Sequence, residues 1–145
     1  MTVQRQLHKF GGSSLANPEC YLRVAGILKE YSAENDLVVV SAAGKTTNRL
    51  IEFLEGLEKD GRIAHEALQN LRQFQISLIE ELLEGEAQEQ LLASLQDEFS
   101  TLAELTSPLT EAQKAAVLGH GEVWSSRLLA ALLTQKQLPA VAQDA

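Results

Sequence analysis

A lysine, two glycines and two hydroxyl side chains stand together near the start of the chain, at Lys9–Ser14 (Lys-Phe-Gly-Gly-Ser-Ser). Glycines let a ligand approach the backbone closely, and exposed N–H groups can donate to phosphate oxygens. A lysine can neutralise charge that develops on a transferring phosphoryl group. The pattern therefore favours a phosphate-handling loop, although the same residues can also form an ordinary strand end and tight turn.

Two strands joined by a helix should position this loop. Residues 4–10 read as a strand, and Asn17-Pro18 is a good helix start, with Asn as N-cap and Pro at the first helical position. The run Leu37–Val40 is rich in β-branched residues, which is typical of a strand buried on both faces. This order predicts a βαβ unit with parallel strands and a right-handed crossover.

A second loop of small and hydroxyl residues, Ser41–Asn48, follows the second predicted strand. The carboxyl ends of parallel strands open on one edge of a sheet, and ligands bind at that edge in open α/β sheets. Ser41 and Thr47 are therefore candidates for substrate contacts. Lys45 is expected to be a solvated loop charge, because Val39 stands where a Walker-type phosphate loop needs its first glycine.

The middle of the chain, from Leu50 to about Leu105, shows apolar stripes at helical spacing, with Gly61 and Gly85 as plausible breaks. Its acidic residues are expected to form solvated helix faces, since residues 50–111 hold 14 acids and 3 bases.

Thr110-x-x-Gln113 is a capping box that opens another helix, which we expect to be disturbed at Gly119–Glu122. A carboxylate at a glycine-flanked break in an apolar helix is costly unless it meets a cation, a donor or a ligand, so Glu122 is a candidate binding residue. His120 and Glu122 have the spacing of a zinc deaminase motif, but the required cysteine pair is missing and no metal site is predicted. Residues 140–142 read as a third strand that reaches Asp144.

Composition narrows the function classes. The 145 residues form one domain or part of one, and the net charge of -8 disfavours a nucleic-acid binder. No apolar run approaches transmembrane length, so no membrane association is expected. Cys20 is the only cysteine, which fits a reducing cytosol and a cytoplasmic protein.

The segments Lys9–Ser14, Val40–Asn48 and Gly119–Glu122 together resemble aspartokinases of the amino acid kinase superfamily in residue type, order and spacing. Residues 6–8 and 123–125 look most like the methionine-linked (type II) bifunctional aspartokinase/homoserine dehydrogenase. The resemblance implies an α/β fold: a partial, helix-rich amino acid kinase fold with three αβα layers and a mainly parallel sheet.

The resemblance also implies ATP-dependent phosphorylation of the L-aspartate side-chain carboxylate to 4-phospho-L-aspartate, in lysine, threonine and methionine biosynthesis. The cofactor would be ATP with Mg²⁺, and NADP would serve only a dehydrogenase domain. Lys9 would be catalytic and, with Gly11, Gly12 and Ser13, would hold the phosphates. Ser41, Thr47 and Glu122 would bind aspartate.

The resemblance covers residues 1–145 as the N-terminal part of a catalytic domain. The family's adenine contacts, catalytic aspartate and substrate-clamping arginine cannot be matched, nor can its ACT and dehydrogenase domains. We therefore expect little kinase activity from the chain alone. A sheet of three strands would leave an apolar face uncovered, which predicts a homo-oligomer.

Two alternatives stay open from the residues themselves. The same fold could phosphorylate another acceptor, such as glutamate, acetylglutamate or carbamate. The helical, acidic middle could instead belong to a non-catalytic interaction module, although that interpretation leaves the small polar loops after both strands unexplained.

Overall fold

The computed structural model describes residues 5–143, so Asp144 lies outside the described residues. Residues 5–143 form two strands, five α-helices and a 3-10 turn: β1 (Leu7–Phe10), the turn (Gly12–Leu15), α1 (Pro18–Tyr31), β2 (Leu37–Val40), α2 (Thr46–Lys59), α3 (Gly61–Leu82), α4 (Gly85–Ala103) and α5 (Glu111–Gln135).

The βαβ prediction is confirmed, because β1 and β2 pair in parallel with Leu7 opposite Leu37 and Phe10 opposite Val40. The prediction that β2 is buried on both faces was wrong. Successive side chains of a strand point to opposite faces. Leu37 and Val39 are 53% and 48% exposed, whereas Val40 points into the core. Only one face of this pair is covered by the described part of the chain.

Local start signals explain where the helices begin. The Asn17 side chain accepts a hydrogen bond from the Cys20 N–H at the start of α1. Thr110 and Gln113 form the expected capping box at the start of α5. The glycines proposed as breaks stand at the first positions of α3 and α4. Each of these signals acts within one helical turn, which is why the sequence reveals them.

The core lies between the covered face of the sheet and the packed helices. Leu50, Leu71, Leu78, Leu128 and Leu132 are almost completely buried, and the Phe99 and Trp124 rings stack with centroids 5.0 Å apart. None of the helices formed by residues 5–143 has the length and apolarity that a membrane span requires.

Two expectations for the last third of the chain were wrong. Helix α5 continues through Gly119–Glu122 without interruption. Residues 140–143 form no strand, and Val141 is 85% exposed. A strand needs a hydrogen-bonded neighbour, and within the described residues β1 and β2 pair only with each other.

Candidate substrate and phosphate site

The first candidate loop leaves β1 at Phe10 and turns at once into the 3-10 segment, where the Ser14 N–H donates to the Gly11 carbonyl at 3.0 Å. Gly11 and Ser13 are exposed, and Gly12 is half-buried. A Cβ placed on Gly12 would lie 3.7 Å from the Ala42 carbonyl oxygen and 3.8 Å from that of Gly44. The first loop therefore lies directly against the second.

The second candidate loop is tied to the first by backbone hydrogen bonds. The Ser41 N–H donates to the Phe10 carbonyl at 3.0 Å, and the Gly44 N–H donates to the Leu15 carbonyl at 3.0 Å. Gly44 has a φ of +50°, and a Cβ there would lie 3.2 Å from the Ala16 carbonyl oxygen. Glycine is favoured at this position because the left-handed backbone and the close neighbour both oppose a side chain.

Helix α5 reaches the second loop at Gly121. A Cβ on Gly121 would lie 2.7 Å from the Ala42 Cβ and 3.2 Å from the Thr46 Cγ2, closer than packed carbon atoms come. Absence of a side chain at Gly121 therefore lets the helix pack against the loop. The three sequence segments singled out for chemistry meet at the carboxyl rim of the sheet.

The candidate side chains at this rim are mostly open to solvent. Lys9, Thr47 and Glu122 are exposed, and Ser41 is half-buried. Neither Lys9 nor Glu122 makes a hydrogen bond or ion pair with another described residue. The argument that burial makes Glu122 costly was wrong, because α5 turns this carboxylate toward solvent while Gly121 faces the loop.

The start of α2 adds partial positive charge to the rim. Lys45 occupies the N-cap position, makes no side-chain capping hydrogen bond and is exposed, as expected for a solvated charge. The first N–H groups of a helix lack partners within the helix, and this end favours negative ligands. Thr47 is the second residue of α2 and lies at this end.

Sequence reasoning missed two buried hydrogen bonds next to the rim. Gln75 of α3 donates to the Thr46 hydroxyl at 2.9 Å. The hydroxyls of Tyr21 and Ser125 lie 2.7 Å apart, and burial raises the pKa of Tyr21 to about 12, although the hydrogen bond with Ser125 acts to lower it. In the sequence, the one indication of the first bond was that Gln75 stands within the apolar stripe of α3.

His120 is a packed helix residue. Its Nδ1 lies 2.9 Å from the Ala116 carbonyl oxygen, and its ring lies against Trp124 with centroids 5.4 Å apart. Between residues 5 and 143, no group of three His, Cys, Asp or Glu side chains is arranged to hold a metal ion.

The opposite, amino edge of the sheet carries a different polar cluster. Asp36 Oδ1 accepts from the Gln6 N–H at 3.1 Å, and Oδ2 accepts from the Ala33 N–H at 2.8 Å and lies 2.9 Å from His8 Nε2. Hydrogen bonds from Ala33, His8 and Gln6 lower the pKa of Asp36 from 3.8 to about 2. Both oxygens of this carboxylate are engaged in contacts that join β1 to the turn before β2.

A profile of the amino acid kinase family matches residues 4–145, nearly the whole chain. The chain belongs to the amino acid kinase family. Among its family relatives, the bifunctional aspartokinase/homoserine dehydrogenase 2 of Escherichia coli is 51% identical over 142 residues, which are 97% of this chain and 18% of that protein. The lysine-sensitive aspartokinase 3 of E. coli is 32% identical over 133 residues, covering 91% of this chain and 29% of that protein.

Solved kinase structures share the fold. E. coli aspartokinase III, crystallised with aspartate and ADP, has a TM-score of 0.68 and 31% identity, covering 92% of this chain and 30% of that one. Clostridium acetobutylicum aspartate kinase, at 20% identity, has a TM-score of 0.70 and supports the fold alone. The similarity to aspartokinases and the partial amino acid kinase fold, predicted from the motifs, are confirmed. The chain spans less than a third of the length of these relatives.

Proposed function

We propose that this chain forms the aspartate- and phosphate-binding part of an aspartate kinase. The observation that carries the proposal is the meeting of three segments at one rim: Gly12 lies against the backbone of Ala42 and Gly44, and Gly121 lies against Ala42 and Thr46. A non-catalytic helical module would not require two glycine-packed contacts that bring these two loops and α5 together. Similarity to aspartokinases supplies the choice of substrate.

Aspartate would bind between the second loop and α5. The Ser41 and Thr47 hydroxyls can donate to a carboxylate, and the first turn of α2 favours the same negative group. Glu122 on α5 has a carboxylate without a hydrogen-bond or ion-pair partner among residues 5–143, and it suits the substrate ammonium group. The substrate's side-chain carboxylate would then be directed toward the first loop.

The triphosphate of ATP would lie along the first loop. Backbone N–H groups at Gly11, Gly12 and Ser13 would hold phosphate oxygens, and Lys9 would place its ammonium beside the γ-phosphoryl group. One aspartate carboxylate oxygen forms a bond to the γ-phosphorus as the bond to the β,γ-bridging oxygen breaks, which gives 4-phospho-L-aspartate and ADP. Such a transfer depends on positioning and charge neutralisation rather than a covalent nucleophile.

Mg²⁺ would enter with the nucleotide. In kinases Mg²⁺ is held largely by substrate phosphates and water, with one or two carboxylates. Residues 5–143 contain no group of three His, Cys, Asp or Glu side chains arranged to hold a metal ion. NADP would be needed only by an accompanying homoserine dehydrogenase domain.

We also propose that residues 1–145 are the N-terminal part of the catalytic domain, that the reaction is cytoplasmic and that the protein forms a homo-oligomer. Leu7, Leu37 and Val39 are exposed on the outer face of the sheet, which Lys9 shares, and exposed apolar side chains of this kind can mark contacts between proteins. Light scattering that finds only monomer at high concentration would contradict the oligomer.

The test measures ADP release by the full-length natural protein that carries this chain, with L-aspartate, L-glutamate, acetylglutamate or carbamate as acceptor. We expect turnover with aspartate and a rise in its KM for Glu122→Gln, because the ammonium loses its charged partner. Preference for another listed acid would keep the fold but change the substrate, and no turnover with any of them would refute the kinase proposal. The isolated 145-residue chain should be nearly inactive.

A further inference from the structure

A buried polar contact joins α3 to the start of α2. Gln75 Nε2 donates to Thr46 Oγ1 at 2.9 Å, and the two residues are only 3% and 0% exposed. A buried amide or hydroxyl destabilises a protein unless it is hydrogen-bonded. Gln75 stands among Leu71, Leu78 and Ile79, all buried. Its buried amide therefore depends on Thr46 for a hydrogen bond and a specific position.

Thr46 lies where the second loop meets α5. Its Cγ2 would be 3.2 Å from a Cβ on Gly121, and its N–H donates to the Ala43 carbonyl at 3.0 Å. Thr47, the proposed substrate residue, is its neighbour in the chain. A shift of Thr46 would therefore move Thr47 and the contact between the loop and Gly121 together.

We propose that Gln75 is a positioning residue that acts through Thr46 to hold the aspartate-binding loop in register with α5. This rests on the proposed function. Gln75 itself is buried and does not reach the rim surface, so its effect is on substrate affinity rather than on the reacting atoms. Loss of the hydrogen bond would let the start of α2 relax away from its place beside Gly121 and weaken aspartate binding.

The test compares Gln75→Met, Thr46→Val and the double variant in the full-length natural protein, by steady-state kinetics and thermal unfolding. Each single change should raise the KM for aspartate about fivefold, the equivalent of one hydrogen bond, with the KM for ATP unchanged. The double variant should be no worse than either single one, since both remove the same contact. Gln73→Met, on the exposed side of α3, is the matched control.

Several outcomes would overturn the proposal. Unchanged KM for aspartate in an active protein would refute positioning, even if the unfolding temperature fell, because that result describes a purely structural contact. Multiplied effects in the double variant would show that Gln75 does not act through Thr46. If Gln75→Met fails to fold, Thr46→Val decides alone, because it breaks the same hydrogen bond with a similarly shaped side chain. A wild-type protein with no aspartate-dependent turnover would refute the proposed function and this inference together.

Discussion

The two edges of the β1–β2 pair use polar side chains in opposite ways. At the amino edge, both oxygens of Asp36 accept hydrogen bonds from the protein itself. At the carboxyl rim, Lys9, Thr47 and Glu122 are exposed, and Lys9 and Glu122 have no partner among residues 5–143. Groups satisfied internally stabilise the fold, whereas unsatisfied groups held in place by a rigid backbone can bind a substrate.

The contrast extends to how each edge is built. The amino edge is held by side-chain hydrogen bonds, so its polar residues stabilise the fold directly. The rim is held mainly by backbone hydrogen bonds and by glycine contacts, in which Gly12 and Gly121 let neighbouring segments approach, together with one buried side-chain hydrogen bond from Gln75 to Thr46. The exposed polar side chains of the rim can therefore be changed with little effect on folding, whereas those of the amino edge cannot.

The largest expected effect is on catalysis at the rim. Lys9→Ala in the full-length natural protein should lower kcat on the order of 10²- to 10³-fold, since a charge aimed at the transferring phosphoryl group is lost. The unfolding midpoint should not change, because the Lys9 side chain makes no hydrogen bond or ion pair with another described residue. Lys45→Ala, another exposed lysine near the rim, is the control and should retain turnover. Equal kcat values for the two variants would contradict the role of Lys9.

A pair of glycine changes tests the packing of the rim. Gly121→Ala places a methyl group 2.7 Å from the Ala42 Cβ and should destabilise the chain by about 1–3 kcal/mol, as overpacking does. Gly119→Ala meets nothing within 4 Å and should stabilise α5 by up to about 1 kcal/mol. Urea unfolding of the 145-residue chain measures both. Similar values for the two variants would mean that α5 does not pack closely on the second loop.

The smallest effect concerns the amino edge and pH. The folded-state pKa of Asp36, about 2, lies below its ordinary 3.8, so its stabilising contribution is complete above pH 4 and is lost as the pH falls toward 2. Asp36→Asn should be less stable than the wild type at neutral pH, and the difference should shrink between pH 4 and pH 2.

Glu34→Gln, an exposed carboxylate in the same turn, is the control for Asp36 and should keep the wild-type pH profile. Kinetic constants should be unaffected by either change, because the amino edge is remote from the substrate. A constant stability difference across the acid range would show that Asp36 is not the titrating group.

Features that act over a few residues could be predicted from the sequence. The Asn17 cap and the Thr110 capping box each involve one helical turn, and the parallel pairing follows from the order of strand, helix and strand within residues 7–40. The three motif segments could also be identified from the sequence, because a motif is defined by residue types, order and spacing.

Features that depend on distant packing could not be predicted. Gly119 and Gly121 suggested a break, since glycine disfavours a helix interior. Instead, the missing side chain of Gly121 permits a contact with Ala42, 79 positions earlier in the chain. The Gln75–Thr46 hydrogen bond and the exposure of Leu37 likewise depend on which elements become neighbours, and no short pattern encodes that.

The most direct measurement is a crystal structure of the full-length natural protein with L-aspartate and ADP. The account predicts aspartate at the carboxyl rim, with Ser41, Thr47 and Glu122 each within about 3 Å of one of its polar atoms, and Lys9 facing the phosphate end. Aspartate bound elsewhere, with the rim side chains still in solvent, would contradict it.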